Sequence, residues 1–385
     1  MKKSSLSNVK DRIKNSNAIG TLFLIVMTIV LRILSFLLPK KKQIVFSSFS
    51  GRQYSDSPRT IYELLKKDPQ FKDYKMIWAF TNPDNFPEVS DQNKINIDSF
   101  WYYIVLFSSR VWISNASLER LIPVKPKKTI YINTWHGVPI KHLGPDEKNL
   151  SFIVKNWYRR VQFDLLTASG SYDMRVFKSI FSNTHNVKIT GLPRNRELVI
   201  LDEKQKRLKR AHLRKKYMLD PNKPVLLYAP TFREYDQSSQ LNIFDEADLK
   251  HLSKKYNLLF RGHYFVGDNQ PKKYFIDVSN EQNLNDLMLL SDLLVSDYSS
   301  IVFDYALLNK PIVLFCYDLE KYLNYRGVYI DPRKLGLPIF EDVSIFIEKV
   351  TTRNFELPAQ FNDYFNAYFD EDLKKIKKVI LKGGN

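Results

Sequence analysis

The chain has a single cysteine in 385 residues, so it can close no intramolecular disulfide, as suits a reducing compartment. That residue, Cys316, sits in the apolar run PIVLFCYDL and reads as strand packing rather than as a nucleophile. Two phosphate-binding fingerprints are also missing. Neither G-x-G-x-x-G nor G-x-x-x-x-G-K-[ST] occurs, which argues against dinucleotide oxidoreductases and P-loop NTPases. No Cys/His cluster has zinc spacing, and no carboxylate cluster dictates a metal site. Acidic residues are scarce, 41 against 59 Lys and Arg, for a net charge of +18. So basic a chain seeks anionic partners: nucleic acid, anionic lipid or phosphate-rich substrates. No nucleic-acid-binding module accompanies the charge, so nucleic acid is not expected as a partner.

What is present is a folded chain, 44% hydrophobic and long enough for two domains. Part of the charge is local. Residues 1–42 hold nine Lys and Arg against Asp11 alone, and these flank the apolar run Ala18–Val30, which continues around Arg32 to Pro39. The uncharged run is short for a spanning helix, which needs about 20 apolar residues. Basic flanks at both ends favour a helix lying in the interface of an anionic membrane, on its cytoplasmic face, over a single span. No small-residue cleavage site follows it.

From residue 43 onward, strand-like and helix-like pieces alternate. QIVFSSF, KMIWAFT, VWISNA, KTIYINTW and QFDLLTAS read as strands, and SFWYYIVLFSSR and SYDMRVFKSIF as helices. In SPRTIYELLKK, Ser57 is the expected N-cap and Pro58 the first helical residue. The rhythm restarts with PVLLYAPTF, YNLLFRGHYF, DLLVSDY and KPIVLFCYD. This is α/β architecture with parallel sheets. The expected divisions are an anchoring segment 1–42, an N-terminal domain 43–200 and a C-terminal domain 201–385. Residues 201–219 form a strongly basic helix, read first as a solvated linker and second as a helix that helps hold an anionic membrane or polymer.

Several strand ends carry chemistry. Ser299 and Ser300 follow the strand LLVS at a helix start, where N–H groups and hydroxyls suit a diphosphate. Asp304 lies one helical turn further and is placed to accept from a ribose hydroxyl. Arg261 and His263 share one face of a strand end, and Thr231 and Arg233 end another. Arg194 and Asn195 follow a strand in GLPRN. Each set also has a bland reading as a cap, a turn or a solvated charge. His136, in NTWHGVPIKHLG, is by itself more often a structural histidine than a base; His142 reads as structural or acceptor-side.

Taken in order, SFSGRQYSDSPRTIYELL, NTWHGVPIKHLG, GLPRN, LLYAPTFRE, RGHYF and SDYSSIVFDYALLNKPIVLFCYDLEKY closely resemble the CDP-glycerol:glycerophosphotransferase family of teichoic acid and capsular polymer synthesis. The resemblance covers roughly residues 43–345. It implies two Rossmann-like domains facing across a cleft, the glycosyltransferase-B arrangement, with CDP-glycerol held by the C-terminal one. It implies a bacterial membrane-surface enzyme acting on a polyprenyl-linked glycan or glycerol phosphate acceptor. His136 matches the family's base and His263 its second histidine; Ser299 and Ser300 match donor phosphate contacts. Arg261, Thr231 and Arg233 are expected beside the donor, and Gly137, Arg194 and Asn195 on the acceptor side. The sequence demands no cofactor, and magnesium is compatible with it. Tyr264 and Arg196 stand where the family often has Pro and Asp, which leaves acceptor and polyol open. A CDP-ribitol or nucleotide-sugar transferase on the same fold is the alternative, and a non-catalytic polymer-binding protein a distant third. Addition of one unit or of many is equally open.

Overall fold

The computed structural model describes residues 13–148, 150–236, 240–262, 273–366 and 372–382. Two compact units emerge. The first comprises the residues up to His136, Leu143–Arg194 and the C-terminal helix Asp372–Lys382; the second comprises Gly137–His142 and Asn195–Asn366.

The first unit is built on a seven-stranded, wholly parallel sheet of β1 (Lys41–Ser47), β2 (Lys75–Phe80), β3 (Lys94–Asn96), β4 (Ser109–Ser114), β5 (Ile130–Asn133), β6 (Leu165–Ala168) and β7 (Val187–Ile189), in the order β3-β2-β1-β4-β5-β6-β7. Parallel strands covered on both faces read as unbroken apolar runs. Accordingly Ile44, Val45 and Phe46 of β1 are all fully buried. One face packs Phe46, Trp78, Tyr54 and Tyr62 in edge and stacked ring contacts. The C-terminal helix, assigned by sequence to the second domain, adds Leu373, Ile376 and Ile380 to this same core.

The sheet order reverses direction between β1 and β4, and in open parallel sheets ligands bind at the carboxyl ends of the strands beside such a switch point. The second unit repeats the design with β8 (Val225–Tyr228), β9 (Asn257–Phe260), β10 (Phe275–Asp277), β11 (Leu293–Ser296), β12 (Ile312–Phe315) and β13 (Ile339–Phe340), ordered β10-β9-β8-β11-β12-β13 and all parallel. Its switch point lies between β8 and β11, where Leu227 pairs with Leu294.

The apolar N-terminal segment is a helix, Asn17–Leu37, capped by Ser16, whose Oγ accepts from the Ile19 N–H. By length and composition it is apolar enough to cross a membrane. It packs on the helices Phe100–Ser108 and Phe152–Arg160. Gly20 makes that approach feasible, because a Cβ there would lie 2.6 Å from Phe152 Cδ1. Gly20→Val is therefore expected to cost about 1–3 kcal/mol by overpacking. Thermal unfolding followed by circular dichroism reads this as a lower midpoint with unchanged native signal.

Two helices depart from expectation. The helix expected to start after Ser57 runs Asp56–Lys66 with Ser55 at the cap position. Ser57 Oγ is engaged elsewhere, accepting from the Arg194 N–H at 3.2 Å. The basic helix, Glu203–Lys216, is a packed element of the second unit rather than a solvated linker. Its Lys209 bridges Glu197 and Asp286, and Arg210 donates to Asp292 at 2.5 Å.

Candidate active site

Three strand ends of the first unit meet beside its switch point. After β1 the chain makes a tight turn through Phe49, Ser50 and Gly51, all at positive φ. After β4 comes Asn115, fully buried. After β5 comes the Thr134-Trp135-His136 turn. Asn115 ties all three ends together. Its Oδ1 accepts from the Phe49 N–H at 2.8 Å, and its backbone carbonyl lies 2.7 Å from His136 Nδ1.

A carbonyl can only accept, so Nδ1 carries the proton in that bond and a neutral ring keeps its lone pair on Nε2. The ring is also held by packing. Trp135 stacks on it with centroids 4.5 Å apart, and Phe49 lies 5.7 Å away on another side. Trp135 adopts φ +50, a cost met by its buried indole and by its N–H bond to Asn133 Oδ1 at 2.9 Å. Gly137, next in the chain, has φ +141, which side-chain-bearing residues rarely adopt.

Arg194 braces this turn. Its guanidinium donates to the His136 carbonyl and to Asp56 Oδ2, both at 2.8 Å. Asp56 is itself at φ +62 and nearly buried. Thus Arg194 and His136 are brought together, with Arg194 on the histidine's backbone rather than its ring. Asn195, the next residue, belongs to the second unit. Its Nδ2 donates to Asp304, a contact between two buried side chains. Asp304 therefore points at Asn195 and is buried at 1% exposure, not presented to a ribose.

In the second unit the switch point gathers the ends of β8 and β11. Asp297, buried, accepts from the Thr231 N–H at 2.9 Å and from the Tyr298 N–H at 2.6 Å. Arg233, expected as a donor contact, is 1% exposed. Its guanidinium pairs with Asp297 at 2.8 Å and bidentately with Asp318 at 2.7 and 2.9 Å. It also sits over the rings of Tyr298, Tyr317 and Tyr322. These two carboxylates hold the guanidinium's pKa above its ordinary value against burial, and Arg233 holds that of Asp318 below the usual range. The Arg233 guanidinium is therefore a strut that fixes the SDYSS loop, and a phosphate would have to compete with two carboxylates for it.

Ser299 and Ser300, half-buried at the start of the helix Ile301–Ala306, are the groups that loop presents. The Thr231 hydroxyl oxygen is buried with no hydrogen-bond partner among the described residues, which leaves it a bond to offer. Arg261 follows β9 and donates to the carbonyls of Val278 and Glu281 at 3.3 and 2.8 Å. His263 and Tyr264 lie outside the described residues. His142, with Lys141, joins the second unit. Its N–H bonds the Gly327 carbonyl, and its ring lies 4.8 Å from that of Tyr329.

Sequence reasoning missed Asn115, Asp56 and Asp297. Asn115 and Asp297 each directly follow an apolar strand, the one signal that marked them.

This arrangement has close counterparts among known proteins. Residues 29–381 match the sequence model of the CDP-Glycerol:Poly(glycerophosphate) glycerophosphotransferase family. A teichoic acid poly(glycerol phosphate) polymerase of Bacillus spizizenii is 31% identical over 381 residues, covering 92% of this chain and 95% of that protein. A teichoic acid poly(ribitol-phosphate) polymerase of the same organism is 30% identical over 368 residues, 89% of this chain but 56% of that protein. The chain spans about half the length of some other poly(glycerol phosphate) polymerases that it matches. Among solved structures, the wall teichoic acid polymerase TagF superposes with a TM-score of 0.78 at 30% identity, over 94% of this chain and 96% of that one. A TagF variant soaked with CDPG superposes at 0.77. The chain belongs to the CDP-glycerol:poly(glycerophosphate) glycerophosphotransferase family.

Proposed function

We propose that the chain transfers glycerol phosphate from CDP-glycerol to a hydroxyl of a polyprenyl-linked acceptor, at the cytoplasmic face of a bacterial membrane, in teichoic acid synthesis. The donor and the reaction type follow from the family. The acceptor and the membrane are this reading's own additions, supported by the apolar helix Asn17–Leu37 with its lysine-rich flanks. The reading needs both units to serve one reaction, the first supplying the base and the second holding the donor.

The acceptor hydroxyl attacks the phosphorus that bears glycerol. Its proton passes to His136 Nε2, the bond from that phosphorus to the oxygen bridging to CMP breaks, and CMP leaves with the electron pair. A phosphodiester joins glycerol to the acceptor. Such transfers depend chiefly on positioning and on charge stabilisation. The observation that carries this reading is the 2.7 Å bond from His136 Nδ1 to the Asn115 carbonyl, since it fixes the tautomer a base requires. Ser299, Ser300 and the Thr231 hydroxyl would contact the donor phosphates, on a loop braced by Arg233 and Asp297. His263 would join them as the family pattern implies. No three His, Cys, Asp or Glu side chains converge among the described residues. No step is assigned to a metal.

A ribitol donor is the second reading, favoured by the similarity to a poly(ribitol-phosphate) polymerase. Offering purified protein CDP-glycerol, CDP-ribitol and UDP-sugars in turn, and measuring CMP or UDP release, separates the readings. CMP from CDP-glycerol alone is the expected result.

A further inference from the structure

The C-terminal helix Asp372–Lys382 of the first unit carries a row of cations that the steps of the transfer do not use. Leu373, Ile376 and Ile380 face the core, which leaves Lys374, Lys375, Lys378 and Lys382 exposed on the outer side. Lys374, Lys378 and Lys382 line an open groove of about 460 Å³ together with Gln70, Lys377 and Leu381. No carboxylate lines it. Asp68, two residues before Gln70, is occupied by Lys377 at 2.6 Å and by the Gln70 N–H at 3.0 Å. Lys377 holds that carboxyl below its usual range. Among the described residues no ion pair engages Lys374, Lys378 or Lys382. Lys67 and Lys72, exposed, flank the same turn in sequence.

The row has a direction. Lys375 donates to the carbonyl of Ile189, the last residue of β7, at 3.3 Å, and the chain continues from there to Arg194, which braces the His136 turn. Toward the other end of the helix, Lys377 pairs with Asp68 and Lys382 shares the groove with Gln70, both ahead of β2. The row thus leads from the carboxyl edge of the first sheet, where His136 stands, toward its amino edge. From Lys375 to Lys382 it spans roughly 10 Å of helix. The reaction proposed above needs such a path. The lipid end of the acceptor stays with the membrane, and the apolar helix Asn17–Leu37 enters β1 at its amino end. His136 follows the carboxyl end of β5. The acceptor must therefore run between the two edges, and each glycerol phosphate already added brings one phosphodiester charge. A bilayer finds little on this face: Leu373, Ile376, Val379, Ile380 and Leu381 are all buried or half-buried. A second copy meeting the same face would set cation against cation. A single nucleotide would leave most of the row without a partner.

We propose that this lysine row holds the polyanionic poly(glycerol phosphate) stretch of a growing acceptor, as a track outside the site of transfer. It rests on the transfer reading above and deepens it, since a track for polymer serves an enzyme that extends chains rather than one that adds a single unit. The contacts are exposed ammonium groups on phosphodiester oxygens. Each is weak and salt-sensitive, and together they hold the chain without fixing its register.

The test uses the full chain and two acceptor analogues, one bearing a single glycerol phosphate unit and one a long poly(glycerol phosphate) chain. The charge-neutral triple variant Lys374→Gln, Lys378→Gln, Lys382→Gln is compared with the charge-keeping Lys374→Arg, Lys378→Arg, Lys382→Arg. Lys377 stays in place because of its pair with Asp68. Each exposed ion pair contributes roughly a factor of two to five, so the neutral variant is expected to raise KM for the long acceptor about ten- to hundredfold. Its kcat, its KM for CDP-glycerol and its KM for the single-unit acceptor should stay native. The charge-keeping variant should match the native chain throughout. Direct binding of labelled poly(glycerol phosphate), measured without donor, should fall by the same factor in the neutral variant. An unchanged KM for the long acceptor overturns the proposal. So does a loss shared by the charge-keeping variant, or an equal loss on both acceptors. Unchanged polymer binding with weakened binding to phosphatidylglycerol vesicles assigns the face to a bilayer and overturns it too. A native chain that fails to bind the polymer overturns it whatever the transfer assay shows. Polymer binding that falls as expected, with no CMP release from any acceptor, leaves the track standing and removes the transfer reading.

Discussion

His136→Ala lowers turnover of CDP-glycerol about 10²–10⁴-fold, the range for loss of a general base, while donor binding persists. The separation is expected because His136 follows β5 of the first sheet, whereas Ser299 and Ser300, the proposed donor contacts, follow β11 of the second. Isothermal titration with CDP-glycerol and steady-state CMP release measure the two quantities on the same preparation. His136→Asn is the sharper variant. Its side-chain amide can still donate to the Asn115 carbonyl, so the turn keeps its hydrogen bond while the base is lost. Turnover near that of the native chain in either variant removes His136 from the reaction.

Arg233→Ala acts through stability first. The substitution leaves Asp297 and Asp318 buried without their cation, and breaking a buried pair from one side costs about 3–5 kcal/mol. For a domain of this size that lowers the melting temperature by about 10 °C. The Thr231 carbonyl, which accepts from the same guanidinium at 2.6 Å, loses its donor too. The SDYSS loop then loses its brace, and affinity for the donor falls with it. Arg233→Lys recovers only part of the loss, because an ammonium cannot reproduce the bidentate contact with Asp318 while reaching Asp297. Calorimetry at neutral pH, with and without CDP-glycerol, measures both effects. A native-like melting temperature for Arg233→Ala would show that the buried network contributes nothing.

The strands were legible because parallel strands covered on both faces cannot hide. VLLY, LLVS and IVLF are apolar runs followed within three residues by Pro or Asp, and each is a strand in the second sheet. The start of the helix Asp56–Lys66 was misplaced for a reason local sequence does not carry. Ser57 looks like a cap, but its hydroxyl is taken by the backbone of a residue 137 positions away. Arg233 failed in the same way. A lone arginine at a strand end shows its charge and nothing of the carboxylate 85 residues further on that buries it. The C-terminal helix showed its apolar stripe of Leu373, Ile376 and Ile380 plainly, yet periodicity does not say which sheet the stripe covers. At the site, the histidine was visible and its partner was not. Asn115 orients His136 through a backbone carbonyl, which every residue has and no motif records.

The most direct test of the account is to incubate the purified chain with CDP-glycerol and a defined polyprenyl-linked acceptor, and to weigh the lipid product by mass spectrometry. The account predicts a product heavier by one or more glycerol phosphate units, formed with matching release of CMP and about 10²–10⁴-fold more slowly with His136→Ala. CMP release without mass gain on the acceptor, or mass gain at the native rate with His136→Ala, would contradict it.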